Sequence, residues 1–230
     1  MKSSLNILYV QRDYCSCLRV FAFSSLSMAS IVGAAPVPEL CADKCALVDE
    51  QQFQALVRWS CSLTEKILLS VSYMHTSCIH IESLQLNSSE NAKLSTLASS
   101  INIPATPVLR ITSEKLENSL RHMHEGLQLH RALLSCVSPR LENTQTVMNL
   151  MNDVRDLAIQ VNKMLKMLQT EHTMQTSLPS VKLRLPGEYE VQVAAHLTLV
   201  QLQSLSQDMV RFFRNLDRGN EETHLQSDTF

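Results

Sequence analysis

Residues that form tight turns are scarce in this chain, which has 4 glycines and 7 prolines among 230 residues. A fold built from many short strands needs turn-formers at most of its connections, so an all-β sandwich or barrel is disfavoured. Sustained alternation of apolar and polar residues, the pattern of a half-buried strand, is also missing. The prevalence of Leu, Gln, Met and Ala instead favours an all-α fold.

An excess of charge of one sign is missing too, because 20 basic residues stand against 22 acidic ones and no basic block occurs. We expect no nucleic-acid partner, since nucleic-acid binding needs clustered lysine and arginine side chains. The sequence contains no CxxC or HExxH spacing and nothing that resembles a nucleophile elbow. We therefore expect no enzymatic activity, no cofactor and no bound metal.

Long apolar runs are absent except near the N-terminus, where Val20–Val32 carries no charge. This run follows the basic residue Arg19 and is shorter than the roughly 20 residues that cross a bilayer. Small residues come next, and cleavage after Ala34 satisfies the rule for signal peptides. We predict that residues 1–34 are a signal peptide and that residues 35–230 form a secreted, extracellular domain without membrane insertion. A buried N-terminal helix or a signal anchor is the alternative.

The predicted secretion would bring the cysteines into an oxidising compartment. The signal peptide would remove two of the 7 cysteines. The mature chain would keep Cys41, Cys45, Cys61, Cys78 and Cys136. Some of these should form disulfides after secretion, and at least one must stay free or pair with another chain because the number is odd. The pairing stays open at this point.

Four long segments repeat apolar residues at spacings of three and four, as amphipathic helices do. The predicted helices span residues of about 47–74, 113–137, 139–168 and 188–217. Ser138 and Pro139 would open the third helix as its cap and first residue. Gly219 would end the fourth helix, and residues 218–230 would form a flexible tail.

The connections between these helices differ in length. Only a turn from Cys136 to Pro139 joins the second and third helices, so these two must be antiparallel. The connections over about 76–111 and 169–187 can each span a whole helix, since an extended residue covers up to about 3.5 Å. The simplest arrangement is an up-up-down-down four-helix bundle with two long crossover loops. We expect Ile79–Leu86 to pack over the core as a short helical or extended piece.

Short motifs in these helices resemble one family. The Gly126-Leu127 pair with His130 three positions later is similar to a Gly-Leu-x-x-aromatic motif of a second helix. Asp153–Ala158 resembles the Asp-Val-x-Asp-Phe-Ala motif of a third helix, and Val193–Leu197 resembles the Val-Ala-Ser-His-Leu motif of a fourth. Together, in this order, they resemble the interleukin-6 and granulocyte colony-stimulating factor family of long-chain cytokines.

Two departures from this family pattern bear on the interior. The family signature has two cysteines where this chain has Leu109 and Ser119, so the family's two disulfides cannot be transferred. The aromatic residue of the signature is replaced by His130. Because His130 lies on the apolar stripe of its helix and no partner set is visible, we predict a packed core histidine.

The resemblance implies a secreted cytokine that binds and clusters a class I cytokine receptor, similar to the granulocyte colony-stimulating factor receptor, on granulocyte or other myeloid precursors. It implies one receptor surface from the first and third helices. It implies a second surface from the end of the first helix, the first crossover and the fourth helix. The candidate receptor-binding residues are Asp153, Asp156, Gln160, Lys163, Asn149, Glu50 and Gln51. We expect Asp153 and Asp156 to face the solvent.

A glycosylation sequon, Asn87-Ser88-Ser89, lies in the first crossover. In a secreted chain we predict that Asn87 carries a glycan.

Two alternative functions stay open. One is an interleukin-6-like cytokine that acts through a shared signalling receptor. The other is a non-secreted helical scaffold protein whose N-terminus only resembles a signal peptide.

Overall fold

The computed structural model describes residues 51–107, 109, 116–168 and 179–227, with side chains as far as Asp217. This part of the chain is almost entirely helical and contains no strand, which confirms the predicted all-α class. The proposed signal peptide and the residues Cys41, Cys45 and Glu50 lie outside it.

The described part contains five α-helices and two short 3₁₀ helices. The α-helices are α1 (Gln51–Cys78), α2 (Ser95–Ile101), α3 (Leu116–Val137), α4 (Thr144–Leu168) and α5 (Glu188–Ser227). The 3₁₀ helices are Ser89–Leu94 and Ser138–Arg140. The four long helices α1, α3, α4 and α5 correspond to the four predicted from the apolar periodicity. None of the described helices combines the length and the apolar character needed to span a bilayer.

The predicted start of the third helix at Pro139 is wrong, because α4 begins at Thr144. Pro139 instead starts a separate 3₁₀ turn, after which Leu141 adopts an extended conformation and is buried. Burial of Leu141 takes the chain out of the helical path. Asn143 then restarts the helix, because its Oδ1 accepts a hydrogen bond from the backbone N–H of Thr146 at 3.3 Å.

The predicted end of the fourth helix at Gly219 is also wrong, because α5 continues to Ser227. A glycine in a helix interior costs about 1 kcal/mol relative to alanine, which weakens a helix without ending it. No proline follows Gly219 to stop the chain. The predicted flexible tail over 218–230 is therefore wrong as far as Ser227, because these residues continue the helix.

The apolar stripes of the four long helices meet in one core. α1 packs against α4 and α5, and α3 packs against the same two helices. Large side chains that are completely covered include Phe53, Ile67, Met74, Leu120, Met123, Leu127, Leu134, Leu157 and Phe213. Full burial of each such side chain stabilises the fold by about 1.5–3 kcal/mol.

The first crossover lies across this core. Ile79 and Leu84 are buried in it, and Ile81 packs on its edge, which confirms that this segment covers the core. The segment itself is made of turns, and the helical pieces of the crossover come later, as a 3₁₀ helix and α2. α2 ends at Asn102, whose positive φ of 65° gives the left-handed cap that asparagine tolerates.

The helices α3 and α5 approach each other closely at Gly126. A Cβ atom added to Gly126 would lie 2.9 Å from Cδ2 of Leu205 on α5. One turn later His130 is completely buried, and its Nδ1 donates to the carbonyl oxygen of Gly126 at 2.7 Å. Burial lowers the pKa of His130 to about 4, so the ring is neutral at physiological pH. The prediction that His130 is a packed core histidine is confirmed.

We predict that Gly126→Val destabilises the protein by about 2 kcal/mol, because the added methyl groups must displace the tightly packed Leu205. Urea unfolding followed by circular dichroism measures this change. Gly126→Ala is the matched control and should stay within about 1 kcal/mol of the unchanged protein. In that variant the gain in helix propensity offsets a small shift of the leucine methyl group. Equal stability of the valine variant and the unchanged protein would contradict the close approach.

Candidate functional site

The predicted site residues on α4 differ in their exposure. Asn149, Asp156 and Lys163 are exposed, whereas Asp153 is partly covered and Gln160 is buried. The sequence pattern thus located an accessible surface on α4, but two of the five residues do not point freely into solvent.

Asp153 is engaged with α1. Its carboxylate Oδ1 accepts a hydrogen bond from Nζ of Lys66 at 2.7 Å, and only 15% of its side chain is exposed, against 63% for Lys66. The prediction that Asp153 faces the solvent is wrong, because its position directly before the buried Val154 brings it to the edge where α1 packs. Lys66 and Asp153 therefore fix the two helices to each other beside the surface.

The prediction that Gln160 contacts a receptor is also corrected. It comes seven residues after Asp153, two helical turns further along the same side of α4, and it is buried. Its Oε1 has no hydrogen-bond partner among the described residues. Because a buried side chain cannot touch a partner of the folded protein, Gln160 is not part of an external site.

Gln51 is exposed as the first residue of α1, but the structure does not bring it near the α4 residues. Fifteen residues of helix separate it from Lys66, a distance of about 22 Å along the axis. Glu50 lies outside the described residues.

An exposed apolar stripe on α1 was missed by the sequence reasoning. The exposed fractions are 61% for Trp59, 75% for Leu69 and 64% for Tyr73. Spacings of seven, three and four residues put these side chains and Lys66 on one side of the helix. The sequence does carry this second periodic set, but the prediction for this helix considered only the apolar set that faces the core. Exposed apolar clusters of this kind mark interaction sites.

A groove of about 340 Å³ runs between α1 and α4 next to this stripe. Its lining residues are Lys66, Ser70, Tyr73, Thr146, Asn149, Leu150, Asn152 and Asp153. We call the groove and its exposed border the α1–α4 face. It comprises Trp59, Lys66, Leu69, Tyr73, Asn149, Asn152, Asp153 and Asp156. The face offers aromatic surface, amide groups and one ordered ion pair.

A second groove, of about 520 Å³, lies where α1, the 3₁₀ turn before α4 and the start of α5 meet. We call it the end groove, and its lining residues are His80, Ile81, Arg140, Glu142, Glu188, Tyr189 and Gln192. Nη1 of Arg140 donates to the carbonyl oxygen of Leu185 at 2.6 Å, which ties the turn to the segment before α5. Tyr189 is 51% exposed at the rim.

The predicted glycosylation residue Asn87 is exposed in a turn before the first 3₁₀ helix. Ser88 begins that helix, because its Oγ accepts a hydrogen bond from the backbone N–H of Glu90 at 3.1 Å. The acceptor side chain is thus accessible, and its glycosylation stays a prediction.

The three cysteines in the described part, Cys61, Cys78 and Cys136, are free. Burial, followed by the nearby Glu65 carboxylate, raises the pKa of the Cys61 thiol, and burial raises that of Cys136. A raised pKa lowers the thiolate fraction, so these two thiols are poorly reactive. None of the three takes part in the expected disulfide pairing.

No group of three or more His, Cys, Asp or Glu residues in the described ranges could hold a metal ion. The two grooves instead present exposed aromatic and hydrogen-bonding side chains on rigid helices. No family model and no curated protein sequence matches this chain significantly.

We predict that reversal of either charge in the Lys66–Asp153 pair destabilises the protein and that exchanging the two residues restores it. Asp153→Lys should cost about 1–2 kcal/mol because it sets two cations together at a partly covered edge, whereas a fully exposed pair would contribute less. The double variant Lys66→Asp with Asp153→Lys should recover most of this loss. Urea unfolding of the three variants measures the coupling. Strictly additive changes would show that the ion pair does not connect α1 to α4.

Proposed function

We propose that the protein is a secreted cytokine of the granulocyte colony-stimulating factor type. In this proposal it binds and clusters a class I cytokine receptor and so promotes the proliferation and differentiation of granulocyte and myeloid precursors. The mechanism is binding alone. The observation that carries the proposal is the α1–α4 face, where Trp59 and Tyr73 stand exposed beside a polar groove on two packed helices.

The composition of this face suits a protein partner. Tryptophan and tyrosine are enriched among the residues that dominate binding energy at protein interfaces. The Lys66–Asp153 pair holds its two side chains in place before binding. Asp156, half exposed at the border, and Lys163 carry charges that can steer the approach of a receptor. A rigid surface of this kind loses little conformational freedom when it binds.

The proposed up-up-down-down bundle is supported first by contacts between α1 and α5. His75, near the end of α1, lies 2.9 Å from His196, near the start of α5. Arg58, near the start of α1, lies 3.5 Å from Asp217 toward the other end of α5. These pairs fit two antiparallel helices.

Contacts of α4 and α3 support the remaining directions. Lys66 meets Asp153, while His80, just past the end of α1, lies 3.3 Å from Glu142, just before α4. α1 and α4 therefore run in opposite directions, as do α3 and α4, which only a few residues connect. Together these contacts support a common direction for α1 and α3 and the opposite direction for α4 and α5, with each long connection returning along a helix.

Two separate surfaces on one body would explain receptor clustering. The α1–α4 face would bind one receptor chain, and the end groove with Tyr189 at its rim would bind another. The end groove is lined by the first crossover just past the end of α1, by the turn before α4 and by the start of α5. The first crossover and α5 are among the elements that the family resemblance implies for a second receptor surface.

We predict that Trp59→Ala and Tyr73→Ala each weaken receptor binding about 30-fold or more, because each removes a large exposed contact side chain. Asp156→Arg should weaken binding about tenfold, mostly through slower association. Surface plasmon resonance against the ectodomain of a granulocyte colony-stimulating factor receptor measures Kd and both rate constants. Melting temperatures should not change, since all three side chains are largely exposed.

Glu125→Arg is the matched control for this experiment, since it reverses an exposed charge on α3 away from the face. It should leave Kd unchanged. Unchanged binding of the Trp59 and Tyr73 variants would remove the α1–α4 face from the proposal. Binding only to the shared signalling receptor of interleukin-6-like cytokines would favour that alternative.

One observation favours a second candidate, a non-secreted helical scaffold. Cys61, Cys78 and Cys136 are free, as thiols are in a reducing compartment. In such a protein the α1–α4 face would bind an intracellular partner, and Asn87 would carry no glycan.

We predict that animal cells expressing the whole chain secrete a product that begins at Ala35 and carries a glycan at Asn87. Intact mass and N-terminal sequencing of the medium measure both features. The Asn87→Gln variant should be secreted without the glycan mass and serves as the control. A product that is retained in the cells with Met1 intact would reject secretion and favour the scaffold.

A further inference from the structure

The first crossover, residues 79–107, is attached to α5 by polar side chains as well as by apolar ones. Nε2 of Gln192 donates to the carbonyl oxygen of Cys78 at 3.0 Å, and its Oε1 accepts from the backbone N–H of His80 at 2.9 Å. One turn further along α5 lies His196, which continues this attachment. Because the hydrogen bonds of a histidine ring change when the ring takes up a proton, this second point of attachment can respond to pH.

His196 links α1, α5 and the crossover in one hydrogen-bonded chain. Its Nδ1 lies 2.9 Å from Nε2 of His75, and its Nε2 lies 2.9 Å from Oδ1 of Asn91. Nδ2 of Asn91 donates to the carbonyl oxygens of Gln85 and Leu86 at 3.0 and 2.9 Å. Since the amide nitrogen of Asn91 donates, its Oδ1 must accept, and Nε2 of His196 carries the proton.

This assignment fixes the remaining protons. Neutral His196, with its proton on Nε2, accepts at Nδ1, so Nε2 of His75 donates to it. We call His75, His196 and Asn91 the histidine chain. Both rings are buried, and their centroids lie 5.2 Å apart. One proton on each ring satisfies every bond of the chain.

No carboxylate in the described part of the protein contacts either ring. On the crossover Glu90 pairs with Lys93, and on α5 Glu190 accepts from a backbone N–H at the start of that helix. Glu142 pairs with an exposed histidine beyond α1. On α1 itself the titratable neighbours in sequence are Tyr73, which is exposed, and the Cys78 thiol, 3.5 Å from a serine hydroxyl. A proton added to the histidine chain therefore finds no counter-ion.

Added protons oppose the closed arrangement in two ways. Burial, followed by the charge of His75, lowers the pKa of His196 to about 4, and burial lowers the pKa of His75. With both rings charged, two N–H groups would also point at each other across 2.9 Å. In solvent both rings would titrate near a pKa of about 6.5. Acid thus favours a state in which the crossover has left α5.

We propose that the histidine chain is an acid-sensitive latch, which holds the first crossover on α5 at neutral pH and releases it in mildly acidic medium while the four long helices stay packed. The latch belongs to the folded chain itself and does not rest on the proposed cytokine function. In a secreted ligand it would open after uptake into an acidified compartment. Its opening would also distort the end groove, which contains His80 and Gln192.

The size of the effect follows from proton linkage. The open state binds more protons than the closed state between pH 6.5 and pH 4, so the opening equilibrium rises as pH falls through this window. With an ordinary pKa in the open state, His196 gives an increase of about tenfold from pH 7.4 to pH 5.5, and a His75 ring that also stays neutral in the closed state raises the increase to about a hundredfold.

Amide hydrogen exchange of the whole mature chain tests the latch at pH 7.4 and pH 5.5, after correction for intrinsic exchange rates. We expect the protection of amides in residues 79–103 to fall about a hundredfold, including Leu84 and Ile103, whose N–H groups bond within the crossover. The amides of α3 and α4 should lose much less. Unchanged protection in the crossover, or an equal loss in all helices, would overturn the proposal.

Variants separate the latch from general acid sensitivity. His196→Gln keeps a donor and an acceptor but does not titrate, so the response should fall to about tenfold. Adding His75→Gln should abolish it. His124→Gln is the matched control, since His124 is buried on α3 and contacts Gln128 there at 3.4 Å. This control should keep the hundredfold response. A full response in the double variant would overturn the latch.

A titration of the unchanged protein covers the case in which a variant does not fold. The ring signals of His75 and His196 in nuclear magnetic resonance spectra should titrate well below the ordinary range, together with the crossover amides. Titration of His196 near pH 6.5 with unchanged crossover signals would overturn the proposal. Receptor binding enters none of these measurements, so failure of the proposed function and failure of the latch remain distinguishable.

Discussion

Burial of four apolar helix stripes against one another is the constraint on which the rest of this molecule depends. With few turn-formers, the chain can bury its apolar residues only in long helices, and α1, α3, α4 and α5 each supply one stripe to a common core. α3 and α5 approach each other closely at Gly126, where a Cβ atom would lie 2.9 Å from Cδ2 of Leu205. The long connection between α1 and α3 lies across the core and fills its edge with Ile79 and Leu84.

A crossover laid over a core brings backbone and side-chain polar groups into the interior, where each must find a partner. Here α5 supplies those partners from one side, through Gln192 and His196. His130 solves the same problem within α3 by bonding the carbonyl oxygen of Gly126. A neutral buried histidine can donate a hydrogen bond. Its burial also makes the interior sensitive to acid, because the buried ring takes up a proton only well below its ordinary pKa range, so that acid favours the exposed, protonated ring. The acid-sensitive latch is thus a consequence of how the crossover is anchored.

The outer surface follows from the same packing. Each helix needs only one side for the core, and α1 carries Trp59, Leu69 and Tyr73 on a side that remains exposed among the described residues. A cluster of exposed apolar side chains of this kind fits the proposed receptor contact. The Lys66–Asp153 pair connects the exposed stripe to α4, so the same contact that fixes two helices also shapes the groove between them. Stability and the proposed recognition therefore share one element of structure.

The helical class, the four long helices and the burial of His130 could be predicted from the sequence, because apolar spacing of three and four has one interpretation over so many turns. Helix ends could not, since burial of Leu141 moved the start of α4 and Gly219 alone did not stop α5. The site was predicted in part: α4 was identified, but only tertiary packing decided that Asp153 binds Lys66 and that Gln160 is covered. The spacing of apolar residues along a helix is visible in the sequence, whereas the exposure of each side chain depends on the helix that packs beside it. For the same reason, only the tertiary structure shows that the stripe on α1 stays exposed and that His75, His196 and Asn91 meet.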